Sequence, residues 1–179
     1  MTRQVYVRAA KTLGVLTFLA LLMAAANSSG ILFPDWSGPT KGSYDRPAAE
    51  LGKATTASRP WSLETVASSV DGKPLDAEPI SAVGEIIDLS CYLQVGKHGD
   101  KHRDCGQKCV AQGQPVGLLT EDGSVYMLID EEHNARRDGL TDFRKQAIEH
   151  MAHIVKVNGT LSEVAGQKAI YVQGYLKQQ

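Results

Sequence analysis

The chain gathers all three of its cysteines and two of its five histidines into "CYLQVGKHGDKHRDCGQKC", Cys91 to Cys109. Thiolates are soft donors and imidazole is a borderline one, so together they suit Cu(I) or Zn(II) rather than Ca or Mg. His102, Cys105 and Cys109 are spaced i, i+3, i+7. On a helix they project at roughly 0°, 300° and 340°, within an arc of about 60°. Cys91, carried by the end of a preceding strand, faces them across a short loop. The candidate metal ligands are therefore Cys91, His102, Cys105 and Cys109. The pattern lacks the paired Cys-x2-Cys knuckles of finger sites. His98, on a glycine-flanked turn, reads first as a loop histidine and only second as a further ligand.

A disulfide competes with this reading. A bridge from Cys91 to Cys105 or Cys109 would pin the helix to the body of the domain. It would close a loop of about fifteen residues and contribute ~3 kcal/mol in the chain-entropy picture. Cys105–Cys109, one helical turn apart, is poorly oriented for bridging. Any bridge leaves one cysteine over, which in an exported chain points to a ligand, a reactive thiol or an intermolecular bond. Disulfide exchange is weakly supported, because the Cys-x3-Cys spacing lies inside the helix instead of at its N-terminus.

Other potential chemistry is bland. Glu121-Asp122 and Glu131-Glu132 fall in expected turns and read as solvated acids. His133, His150 and His153 are scattered. Asp88, inside the first strand, either satisfies backbone donors, the favoured reading, or hydrogen-bonds His102 behind the metal ligands. No nucleophile, acid and base converge, so an enzyme ranks third, behind a metal-binding domain and a metal-free binding module.

The elements around the cluster follow from pattern. The N-terminus carries Arg3, Arg8 and Lys11, then the apolar "TLGVLTFLALLMAAA" ending in an A-x-A sequence. This is the layout of a secretory signal over residues 1–27. An uncleaved membrane anchor over residues 13–26 is the alternative, although the apolar run is shorter than the ~20 residues of a spanning helix. Without residues 1–27 the chain keeps 16 basic against 20 acidic residues, a net charge of −4. That balance argues against a nucleic-acid partner. Export, to a periplasmic or secreted location, also sets an oxidising context for the cysteines.

Six of the seven prolines fall between Pro34 and Pro79. Residues 28–79 therefore read as a flexible Pro/Gly/Ser-rich arm, with Trp36, Tyr44 and Trp61 able to dock and "SLETVASSV" able to form two turns of helix. Order is expected over 80–179. "ISAVGEIIDLSCYL" reads as a strand, and "QPVGLLTEDGSVYMLI" as a hairpin turning at Gly123. "LTDFRKQAIEHM" shows helical spacing with Thr141 as N-cap. "HIVKVNGTLSEV" and "KAIYVQGYL" are two further strands. The fold class is mainly β: a small five-stranded OB-fold-like barrel, one helix between strands 3 and 4, and a Cys/His-bearing helical insertion after strand 1.

Gly84, Asp88, Cys91, Tyr92, His102, Cys105, Cys109, Gly113, Pro115, Val116, Gly117 and Leu118 form a signature. Through it the chain resembles a set of exported, mostly uncharacterised bacterial proteins with an OB-fold-like domain. The resemblance implies a barrel with a cysteine-bearing insertion and carries no activity with it. Two functions stay open. One is an exported domain that binds Cu or Zn, for metal handling or as a metal-stabilised binding module. The other is a metal-free protein- or small-molecule-binding domain stapled by a disulfide from Cys91 to the Cys105/Cys109 helix.

Overall fold

The computed structural model describes residues 38–131 and 139–173, together with Thr17. The expected signal segment, its anchor alternative over 13–26, and His133 lie outside the described residues, apart from Thr17. Among the described residues, no helix is long and apolar enough to cross a membrane.

Five strands close into a barrel: β2 (Glu78–Asp88), β3 (Val116–Thr120), β4 (Val125–Asp130), β5 (Ile154–Val164) and β6 (Gln167–Val172). Going round the barrel, β2 pairs with β3, β3 with β4, β4 with β6, β6 with β5, and β5 with β2. Only the β4–β6 pairing is parallel. Helix α4 (Asp142–Glu149) lies between β4 and β5 in the chain. This is the expected OB-fold-like arrangement.

Closure depends on the two long strands, which take part in both halves of the barrel. β2 pairs with β5 over Glu78–Glu85 and with β3 over Gly84–Asp88. β5 pairs with β2 over Ile154–Leu161 and with β6 over Thr160–Val164. Glycines stand at both handovers. A Cβ on Gly84 would lie 2.6 Å from the Leu119 carbonyl oxygen, and one on Gly159 would collide with the carbonyl oxygen of Tyr171. Each glycine lets its strand bend hard against a neighbouring backbone, as barrel corners require. The β5–β6 hairpin turns on Ala165 and Gly166, both at positive φ, the pattern of a two-residue primed turn.

Leu51, Ile86, Val116, Leu118, Leu128, Val155, Val157, Ile170 and Val172 fill the core. One end is closed by Phe143 and Ala147 of α4 together with Met151 and Val110. Thr141 caps α4, its hydroxyl accepting from the Arg144 N–H at 3.2 Å. A smaller cluster of Ile87, Leu89 and Leu119, with Tyr92, Val125 and Met127 packed against it, lies apart from this core.

The segment read as a flexible arm lies along the barrel from residue 38 onward. The Thr40 N–H donates to the Ala152 carbonyl at 2.7 Å, and that of Ala48 to Ile154 at 2.8 Å. A short strand β1 (Glu50–Leu51) adds parallel to β5 and sinks Leu51 completely into the core. Trp61 is buried edge-on against Tyr171, and its indole N–H donates to the Leu75 carbonyl. The expected short helix is α1 (Leu63–Ser68), capped by Ser62. Glu131 accepts from the Ser62 N–H at 2.7 Å and the Thr65 hydroxyl at 2.8 Å, fixing the start of α1 to the end of β4. The prolines erase sequence periodicity here, but the open edge of β5 and the Glu131 carboxylate satisfy donors that water would otherwise take.

Candidate metal centre

The site is built where β2 leaves the barrel. The sequence suggested a strand running on through Cys91 and Tyr92, but β2 stops at Asp88. The Asp88 side chain ends it: Oδ1 accepts from the N–H groups of Ser90 at 3.0 Å and Cys91 at 3.3 Å. Aspartate is among the best N-cap residues, and here it starts helix α2 (Leu89–Val95). Cys91 therefore sits in the first turn of a helix, held next to Asp88 by the cap.

Gly96, left-handed, ends α2. Glu85, a buried acid inside β2, then ties down the next loop. Its Oε1 accepts from the Gly99 N–H at 2.6 Å and its Oε2 lies 2.9 Å from His98 Nδ1. His98 is thus engaged by Glu85. Immediately after this anchor comes a 3-10 turn, Asp100–His102, which delivers buried His102 to the start of helix α3 (Arg103–Ala111).

The helix is pressed onto the barrel end at Gly106. A Cβ there would lie 2.9 Å from Met151 Sδ and 3.6 Å from Asp88 Cβ. Helices α3 and α4 also cap each other. Arg103 donates to the carbonyls of Met151 at 3.0 Å and Glu149 at 2.9 Å, and Gln107 donates to Ile148 at 2.8 Å. In return Arg144 donates to Val110 and Gln114, both at 2.9 Å. These bonds bring side-chain donors to carbonyls at and just beyond the helix C-termini, where intrahelical donors run out.

Asp88, Cys91 and His102 consequently converge, with one potential ligand atom from each lying within 4.8 Å of the other two. Asp88 is wholly buried and His102 nearly so. While Asp88 Oδ1 serves the cap, Oδ2 lies 3.8 Å from His102 Nε2, beyond hydrogen-bond distance. Neither Oδ2 nor Nε2 has a hydrogen-bond partner. A carboxylate oxygen, a thiol and an imidazole nitrogen, buried and converging, form a group that can hold a metal ion.

The four residues singled out from sequence divide. Cys91 and His102 belong to the tight cluster. Cys105 and Cys109, on the same face of α3, flank it instead of completing it. Burial first, then the neighbouring Cys105 and Asp88, push the Cys109 thiol up to about 11. Burial also raises the Cys91 thiol, with Asp88 and Cys105 adding to the effect and Lys97 opposing it. All three cysteines are free thiols. Asp88 enters the cluster in a place the sequence had given to a cysteine. Of the two roles considered for it, its side chain takes the first, serving the backbone with Oδ1, while Oδ2 faces His102 at 3.8 Å without hydrogen-bonding it.

Glu85 was missed. Its signal was an acid in the apolar run "VGEIID", three residues before Asp88, so that the strand pleat puts the two on opposite faces. The two other histidines among the described residues pair with each other: His150 and His153 face through their Nδ1 atoms at 3.2 Å, far along the chain from the thiols.

No family model matches this chain, and no curated protein or solved structure was found to be similar to it.

Proposed function

We propose that this is an exported metal-binding domain that holds a soft or borderline cation at the mouth of its barrel. Asp88, Cys91 and His102 would be the innermost ligands, with Cys109 the nearest fourth. The observation that carries the reading is the pair of buried atoms without a hydrogen bond, Asp88 Oδ2 and His102 Nε2, facing one another at 3.8 Å beside a thiol. Buried polar atoms without partners are rare, and each leaves a desolvation cost of about 1–3 kcal/mol that an ion between them would relieve. A carboxylate is a hard donor, so its place in the set favours Zn(II) over Cu(I). The two flanking thiols keep Cu(I) as the second metal to test.

The chain's own residues account for how an ion would be held. Asp88 is oriented by its cap bonds, and Glu85 sets the loop from which His102 enters. Gly106 allows α3 to approach, and the reciprocal Arg103 and Arg144 bonds hold it there. The raised thiols of Cys91 and Cys109 must lose their protons as the metal arrives, so binding competes with protons. The role is metal handling, or a binding module whose rim is stiffened by metal.

A second reading is a metal-free binding module. An apolar cavity of about 200 Å³, lined in part by Trp61, Leu75 and Tyr171 where the N-terminal segment crosses β5 and β6, favours it. The separating experiment is elemental analysis with thiol counting on protein purified anaerobically from the exported fraction. About one zinc or copper per chain, lost in His102→Ala and Cys91→Ser, supports the metal centre. Protein without metal, whose ligand binding responds to Trp61→Ala and not to His102→Ala, supports the module.

A further inference from the structure

Exposure falls in steps across the cysteine face of α3. Cys105 is exposed and Cys109 half-buried, whereas His102 and Asp88 are buried. Cys105 and Cys109 are one turn apart on α3, so their side chains are neighbours on one helix face. Cys109 in turn is close enough to Asp88 to feel its charge. The compact three-donor cluster contains Asp88, Cys91 and His102 and leaves both α3 cysteines outside it. The outermost sulfur is that of Cys105, so an ion from solvent meets it first; Cys109 and Cys91 are both half-buried, and Asp88 and His102 are buried.

We propose that Cys105 is a receiving ligand, distinct from the resident ones. It takes a thiolate-bound metal ion from a donor in solvent and hands it through Cys109 to Asp88, Cys91 and His102. This inference rests on the metal-binding reading above. Each handover is a ligand exchange with no change in oxidation state. As the Cys105 sulfur forms its bond to the metal, its thiol proton is released. The bond from the metal to the donor's sulfur breaks with its electron pair remaining on that sulfur, which takes up the proton. Cys109 repeats the exchange on Cys105, which is then reprotonated. The ion is coordinated throughout and never has to be released as the aqua ion.

The test mixes reduced, metal-free full-length protein with Zn(II) carried as its glutathione complex. Transfer is followed by stopped-flow absorbance of the metal–thiolate bonds, and the final zinc content by elemental analysis. Cys105→Ser and Cys105→Ala are both expected to reach the wild-type stoichiometry, with transfer slowed by about tenfold once the intramolecular relay is lost. His102→Ala is expected to lose the bound ion itself. Unchanged transfer rates in the Cys105 variants, or a reduced zinc content in them, would overturn the receiving role. Zinc uptake absent from the wild type would remove the metal centre and the relay with it, a different result from either.

Discussion

His102 Nε2 stands 3.8 Å from Asp88 Oδ2, both buried and neither hydrogen-bonded. The residues come from separate elements, the last residue of β2 and the turn before α3, and the thirteen residues between them include α2 and an anchored loop. Such a gap is too wide for a hydrogen bond and suits two ligands sharing an ion.

Asp88 has two functions that substitution can separate. Asparagine is as good an N-cap as aspartate but carries no charge. Asp88→Asn is expected to keep the stability of the fold and lower metal affinity by at least about tenfold. Asp88→Ala should lose the cap as well, at about 1 kcal/mol. Urea denaturation of the metal-free proteins and metal titration of each variant read the two effects independently. Equal metal affinity in wild type and Asp88→Asn would remove Asp88 from the ligand set.

Gly106 is expected to tolerate no branched side chain. Its missing Cβ lets α3 lie against Met151 and Asp88. Gly106→Val should destabilise the protein by about 1–3 kcal/mol through overpacking. Because the displaced helix carries Cys105 and Cys109 and begins next to His102, metal affinity should fall as well. Gly106→Ala should be milder, since the first atom met is the sulfur of a flexible methionine. Denaturation midpoints and metal titrations of the two variants measure the difference.

Arg144 tests how much the helix exchange contributes. Arg144→Met keeps the apolar stem, removes the side-chain donor from the Gln114 carbonyl and leaves the Val110 carbonyl with its bond from the Gly113 N–H. Two lost charge-assisted bonds at a partly exposed site should cost about 1–3 kcal/mol. The effect belongs in the denaturation midpoint, and a stability equal to wild type would show that water replaces the guanidinium fully.

Acid should weaken the fold through His153. This buried residue, with Arg103, His150 and Lys41 nearby, has its imidazole lowered to about 4; burial is the main cause, and Glu149 acts in the opposite sense. A histidine held neutral in the folded state binds fewer protons than in the unfolded chain, so stability rises with pH through this window. The contribution is complete above pH ~6.5, the unfolded value, and is lost progressively as pH falls toward about 4. Over that window the loss is on the order of 2–3 kcal/mol. His153→Gln should flatten the stability profile between these limits, measured by denaturant unfolding at several pH values. A profile unchanged by the substitution would assign acid sensitivity elsewhere.

Sequence alone carried the strand order, the helix between the third and fourth barrel strands, and the helix bearing Cys105 and Cys109, although His102 falls in the 3-10 turn just before that helix. These features are local. Apolar alternation, helical spacing and capping residues such as Thr141 act over a few neighbours, and the chain writes them directly. Sequence also named the stretch in which soft donors collect. It misplaced Cys91 because an apolar, β-branched run looks like a strand until a side chain ends it, and whether Asp88 caps a helix or continues a ladder depends on what packs around it. It passed over Glu85 because a lone acid in a strand gives no sign of the loop amides it will meet. The docking of residues 38–79 was hidden for the same reason. Their backbone partners include Ala152, Ile154 and Lys156, far along the chain, and proline-rich sequence has no periodicity to announce them. The choice of Asp88, rather than a second cysteine, as the partner facing Cys91 and His102 was decided by tertiary structure alone. Gly106 sets how closely α3 approaches the rim, and that distance determines which donors come together.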